Sequence, residues 1–208
     1  MDGRIIIIDG ISNSGKTTFC EYLKKQGYFV IDEAPLFMQN HKELGTLPNT
    51  VPISLEQEKN NQVILYNVEL ERLKLAREKA IKGENVVMDR SFLSTVAVAF
   101  ALENDLPFKG AYKYANELAI LYFNELFNIN NYAEINFVFF DVNQSVVFAR
   151  NKNRDNILDS NWVNENFLMK QRQYFLECFK LLNATIIDTS NLSLDEVINI
   201  VFGNNKKI

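Results

Sequence analysis

The sequence predicts an α/β fold of three layers, a five-stranded parallel sheet flanked by helices. Two observations carry that expectation. Short β-branched or aromatic runs alternate with longer amphipathic stretches along the whole chain. The short runs are also apolar at successive positions, the pattern of strands covered on both faces. No internal repeat interrupts the alternation.

The expected strands fall at residues 4–9, 28–31, 85–89, 135–141 and 185–188, of which the first, Ile5-Ile-Ile-Ile8, is the most apolar. Helical periodicity predicts helices over 16–26, 55–82, 92–104, 111–127, 144–152, 161–182 and 194–202. Gly83 follows the basic end of the second helix as its C-terminal stop, and Ser193, with Asp195 and Glu196, opens the last one. The least regular stretch, 32–54, holds three of the four prolines and the single histidine, His41, for which the sequence suggests no partner. So long a connection in a compact domain is expected to be a functional loop.

With 208 residues, 47% of them hydrophobic and 23% charged, one compact domain is expected over 1–208, with disorder confined to the tail 204–208. A net charge of −4 disfavours a polynucleotide partner, because backbone affinity is built on basic charge. Cys20 and Cys178 have neither the spacing of a zinc site nor a disulfide framework, and read as two half-buried thiols of a reducing compartment. Met1-Asp-Gly-Arg4 runs straight into the first strand, and no apolar run approaches membrane-spanning length, so a cytoplasmic protein without membrane contact is expected.

The chemistry is announced by Gly10-Ile-Ser-Asn-Ser-Gly-Lys-Thr17, which follows the first strand and opens the first helix. In that context the glycines let backbone N–H groups form a cradle for phosphate oxygens, assisted by the helix dipole. Gly10, Asn13, Ser14, Gly15, Lys16, Thr17 and Thr18 are the expected nucleotide-binding residues, with Lys16 on the β- and γ-phosphates and Thr17 on Mg²⁺. The string resembles a P-loop, and the expected fold class becomes that of a P-loop NTPase.

Beyond the loop, the layout resembles the nucleoside and nucleotide kinase branch, the deoxynucleoside kinase and thymidylate kinase families, over nearly the whole chain. Asp89-Arg90-Ser91, ending the third strand, is similar to the Asp-Arg or Glu-Arg-Ser signature of these kinases. The resemblance implies Asp89 near Mg²⁺ and Arg90 at the transferring or acceptor phosphate, where a fixed fork of donors suits the task. Ile31-Asp-Glu-Ala-Pro35 resembles the segment where deoxynucleoside kinases carry a glutamate base and thymidylate kinases an arginine. Glu33 is accordingly the expected general base, although the Glu-Ala-Pro spacing leaves open whether Asp32 or Glu33 points inward. Ala149-Arg-Asn-Lys-Asn-Arg154 resembles the arginine-bearing lid of this branch. It implies a lid around 150–160, in which Arg150 and Arg154 close over the triphosphate. Asp188-Thr-Ser-Asn191 matches the loop that lies against adenine and puts Asn191 among the cofactor-binding candidates.

Ligands of open α/β sheets bind beyond the carboxyl ends of the strands, which nominates Phe37, Gln62, Tyr66, Phe92 and Phe100 for the acceptor pocket. The leading expectation is a kinase using ATP and Mg²⁺, with a small-molecule acceptor of nucleoside or nucleotide type. A thymidylate-type monophosphate kinase is the alternative within the class. A nucleotide-binding switch or regulatory ATPase is the alternative outside it, disfavoured by the lack of an Asn-Lys-x-Asp motif. The apolar helices over 92–127 either cover the sheet or form the face of a homodimer.

Overall fold

The computed structural model describes residues 3–46, 52–129, 133–153 and 164–203. Five parallel strands form one sheet: β1 (Arg4–Asp9), β2 (Phe29–Ile31), β3 (Val86–Asp89), β4 (Glu134–Asp141) and β5 (Thr185–Asp188). Their order is β2-β3-β1-β4-β5, with β1 at the centre. Ile8 lies beside Asp89 on one flank, Asp9 beside Phe139 on the other, and Asp141 beside Asp188 further out. Four strands therefore end in an aspartate at the same edge of the sheet, where an α/β fold places its ligand.

The period-two pleat splits the isoleucines of β1 between two cores. Ile5 and Ile7 face the larger one, with Val86 and Met88 of β3. Over it pack α3 (Leu55–Ile81), α4 (Phe92–Leu102), α5 (Ala111–Ile129) and α7 (Glu165–Leu181). Ile6 and Ile8 face the smaller core, closed by Phe19 and Leu23 of α1 (Lys16–Lys25) and by Val197 and Phe202 of α8 (Leu194–Phe202). All four isoleucines are essentially fully buried, each contributing about 1.5–3 kcal/mol by removal from water. That burial fixes the central strand, and with it the start of the phosphate loop.

The helix ends follow local chemistry. Ser193 accepts from Glu196 N–H while the Glu196 carboxylate accepts from Ser193 N–H, a complete capping box. Gly83, at φ 83°, donates its N–H to Ala80 O at 2.9 Å and turns the chain out of α3. Of the expected helix over 161–182, residues 161–163 lie outside the described residues; the Asn164 side chain caps α7 by accepting from Phe167 N–H at 3.2 Å. Cys20 is buried and Cys178 half-buried, both as free thiols.

Of the stretch 32–54, residues 32–46 are more regular than the sequence suggests, and residues 47–51 lie outside the described residues. Residues 32–46 contain α2 (Ala34–Asn40) and a 3₁₀ turn at Lys42–Leu44. Pro35 sits in the first turn of α2, the one place in a helix where a missing N–H costs nothing. Phe37 and Met38 anchor the helix in the larger core. His41 does have partners: its ring stacks on Phe37 at 4.2 Å between centroids, and Nδ1 lies 3.1 Å from Glu43 Oε1. The remaining helix, α6 (Gln144–Lys152), follows β4. Among the described residues no helix is long and apolar enough to cross a membrane.

Candidate active site

The phosphate loop leaves β1 at Gly10 under tight constraint. A Cβ at Gly10 would stand 2.5 Å from Phe140 O and 2.9 Å from Ser14 Oγ, so no other residue fits there. Asn13 and Gly15 adopt positive φ of 61° and 98°, and Gly15 precedes the first turn of α1. Thr17 and Thr18 are exposed in that turn, and Lys16 is buried beneath the loop. The Lys16 ammonium donates to Gly10 O and Ile11 O, both at 2.9 Å, and to Ser14 Oγ at 3.1 Å. Burial, then the nearby Arg90 guanidinium, lowers its pKa to about 7, against the opposing pull of Asp89, Asp9 and Glu33.

Beside the loop, Asp9 ties β1 to the start of α4. It accepts from Ser91 N–H at 3.2 Å, from Ser91 Oγ at 2.5 Å and from Ser94 Oγ at 2.7 Å. Between them sits Arg90, a non-glycine residue at φ 70°. That conformation costs of order 1–3 kcal/mol and persists only where surroundings impose it. Arg90 N–H donates to Ile8 O at 2.8 Å. Its Nη1 donates to Gly10 O at 3.0 Å and to Ser94 Oγ at 3.3 Å. Its Nε donates to Glu33 Oε2 at 2.9 Å. Glu33 is the residue just before α2, placed by the end of β2. Half in solvent, this ion pair adds little stability; its effect is to hold a carboxylate against an arginine that also touches the phosphate loop. Burial raises the pKa of Asp89, and the cations Lys16 and Arg90 oppose that shift.

On the far side of the loop, Arg150 of α6 donates to Asn13 O at 3.0 Å and to Thr189 O at 2.7 Å. Thr189 is buried and donates its hydroxyl to Ser14 O at 2.8 Å and Asp141 O at 3.0 Å. Asn191, the residue nominated in this segment, is exposed and lies outside the cavity lining. Arg154 lies outside the described residues.

These groups surround a cavity of about 920 Å³. It extends from the loop residues Asn13 to Thr18, past Asp89, Arg90 and Glu33, into the cleft between α3 and α4. There Glu58, Gln62, Leu65 and Glu69 face Thr95 and Val98. Asp32 is not part of the lining, so of the two adjacent carboxylates it is Glu33 that reaches the cavity. Of the aromatic candidates, none lines it. Phe37 is core, Tyr66 packs edge-on against Phe92, and Phe100 packs against Tyr112 and Tyr174. Gln62 does line it. Its Nε2 donates to Glu58 Oε1 at 2.7 Å and to Ala111 O at 3.2 Å, which fixes the amide's orientation and leaves Oε1 without a protein partner.

The sequence reading missed a buried pair on α3. Arg72, fully buried, donates Nη1 to Glu69 and Nη2 to Asp89 O at 2.7 Å and Arg90 O at 3.2 Å. The available signal was an arginine and a glutamate three apart on the buried face of a long helix, where an ion pair is the condition for either to be tolerated.

No family model matches the chain. It is 25% identical over 205 residues to the thymidylate kinase of Buchnera aphidicola subsp. Baizongia pistaciae (strain Bp), covering 95% of this chain and 92% of that one. Among solved structures it superposes on a thymidylate kinase from Candida albicans with a TM-score of 0.68 at 16% identity, over 97% of this chain and 90% of the other. On a deoxyadenosine kinase from M. mycoides with bound dATP the TM-score is 0.61 at 21% identity, over 97% of each chain. The fold is that of the P-loop nucleoside and nucleotide kinases. The thymidylate kinase relative, together with these kinase structures, indicates a phosphotransferase. Within this fold the loop, the Asp89-Arg90 strand end and Glu33 line one cavity.

Proposed function

We propose that the protein transfers the γ-phosphoryl group of ATP to a hydroxyl of a nucleoside-type acceptor, working as a single domain with residues 150–160 as its lid. The observation that carries this reading is Glu33, held by Arg90 inside the cavity that begins at the phosphate loop. Phosphoryl transfer needs mainly positioning and charge stabilisation, and the nucleophile must lose a proton. The acceptor hydroxyl oxygen bonds to the γ-phosphorus as the bond to the β–γ bridging oxygen breaks. ADP leaves, and the hydroxyl proton passes to the Glu33 carboxylate. Lys16, Arg90 and Arg150, with Arg154 of the lid, stabilise charge on the transferring group.

Mg²⁺ is proposed as the accompanying cation. The Thr17 hydroxyl and the Asp89 carboxylate are hard oxygen donors lining the same cavity, which suits an ion that takes few protein ligands beside phosphate and water. Bound there, it would neutralise negative charge on the triphosphate.

A second reading, a monophosphate acceptor, is favoured by the thymidylate kinase relative. Two observations weigh toward the hydroxyl acceptor. Among the described residues the cations lining the cavity are Lys16, Arg90 and Arg150, and each already bonds the phosphate loop. The remaining length of the cleft adds no further cation among the described residues and presents the Glu58 carboxylate, which would repel an acceptor phosphate, while the Glu69 charge is matched by Arg72. The test is Glu33→Gln, which keeps the shape and removes the base. Its kcat falls by about 10²–10⁴-fold with ATP affinity unchanged; undiminished turnover would contradict the assignment.

A further inference from the structure

Arg72 makes contacts whose geometry reaches past stability. Its side chain is fully buried, and its guanidinium bridges three oxygens: the Glu69 carboxylate and the backbone carbonyls of Asp89 and Arg90. Those carbonyls flank the one peptide at this strand end that is forced into the left-handed region, Arg90 at φ 70°. From that backbone the Arg90 side chain reaches Gly10 O, Ser94 Oγ and Glu33 at once. A left-handed arginine relaxes to ordinary φ unless something opposes it. Arg90 N–H is held by Ile8 O, which restrains the residue from the N-terminal side. The carbonyl side is restrained by Arg72. Glu69 completes the device: held at a fixed spacing on α3, it orients the guanidinium fork so that the second amino group faces the strand end.

We propose that Arg72 is a positioning residue for phosphoryl transfer, clamping the Asp89–Arg90 backbone so that Arg90 and, through it, Glu33 are aimed at the transferring group. The assignment rests on the kinase reading above. Arg72 itself is fully buried and does not line the cavity. Buried pairs of this kind are often replaceable by apolar residues without loss of stability, so stability alone does not account for placing a fork on these two carbonyls.

The experiment compares the parent protein with variants of the buried pair. The double variant Glu69→Leu with Arg72→Met removes both buried charges together, so that neither is left uncompensated, and its kcat drops about 100-fold, the order expected for an ångström-scale misplacement. Its KM for ATP changes little, since Lys16 and the loop are untouched. A merely structural pair would give a folded double variant with parental kcat, and that result overturns the proposal. Should the double variant fail to fold, Arg72→Lys carries the same test, because it keeps the buried charge opposite Glu69 while losing the planar fork whose two amino groups reach the carboxylate on one side and the carbonyls on the other. A crystal structure of the folded variant reads the clamp without any acceptor: Arg90 leaves the left-handed region if Arg72 holds it there, and stays near its present φ if not. This arm separates failure of the clamp from failure of the kinase assignment, which would show as parental protein inert toward every nucleoside.

Discussion

Lys16 offers a prediction whose size follows from the site. In the unliganded protein its ammonium is buried under the loop with a pKa of about 7, lowered chiefly by burial and by Arg90. A triphosphate seated on the loop brings several negative charges to that ammonium and restores the ordinary lysine range. At pH 8, about one-tenth of unliganded Lys16 is protonated, so binding takes up about 0.9 of a proton; at pH 6 the uptake falls to about 0.1. The same linkage weakens ATP affinity about tenfold per pH unit above 7, since each such unit costs about 1.4 kcal/mol of protonation. Calorimetric titration with MgATP at pH 8, in buffers of different ionisation enthalpy and without acceptor, gives the proton count as a slope. Lys16→Met removes the uptake. Zero uptake by the parent at pH 8, or equal uptake by Lys16→Met, would refute the reasoning. The sign extends to the empty protein: the folded state binds fewer protons than the unfolded one between pH 7 and the ordinary lysine range, so stability rises with pH across that window.

Three other substitutions probe separate links. Gly10→Ala forces a methyl group onto Phe140 O at 2.5 Å, so ATP binding is lost while the apolar core still folds; isothermal titration and circular dichroism read the two effects. Arg150→Ala frees the contact between α6 and the loop at Asn13 O and Thr189 O, and raises KM for ATP about tenfold or more in steady-state assays. Ser193→Ala removes one arm of the capping box on α8 and lowers stability by about 1 kcal/mol in urea unfolding, with kcat unchanged.

The parts of the fold legible in the sequence are those where local pattern and tertiary packing agree. Ile5-Ile-Ile-Ile8 is apolar at every position because both faces of β1 are covered, and β1, β5, α6 and α8 have the bounds their patterns predict. The stretch 32–54 misleads because prolines and a histidine suggest a loop, while Phe37 and Met38 are only three and four positions past Ala34 and give a helix too short for periodicity to reveal. In the site, the positions of Lys16, Glu33, Asp89 and Arg90 at the cavity are legible because Lys16 belongs to the phosphate loop's spacing, Asp89 ends a strand, and Glu33 and Arg90 follow one closely. The reach of Arg72 to the strand end is hidden because those partners are backbone carbonyls 17 and 18 residues away in sequence, contacts that leave no trace in residue identity. The aromatic candidates fail for the converse reason: Phe92 and its neighbours satisfy one another in the core rather than a ligand.

The central claim is that the γ-phosphoryl of ATP goes to a nucleoside hydroxyl with Glu33 as base. Phosphorus NMR of the parent protein with MgATP and, in separate samples, deoxyadenosine, deoxycytidine, thymidine and thymidylate follows every phosphorus at once. The account predicts a new monophosphate ester resonance growing with ADP in at least one nucleoside sample, at a rate well above that with thymidylate. A diphosphate formed from thymidylate alone, or inorganic phosphate released at one rate in all four samples, would contradict it.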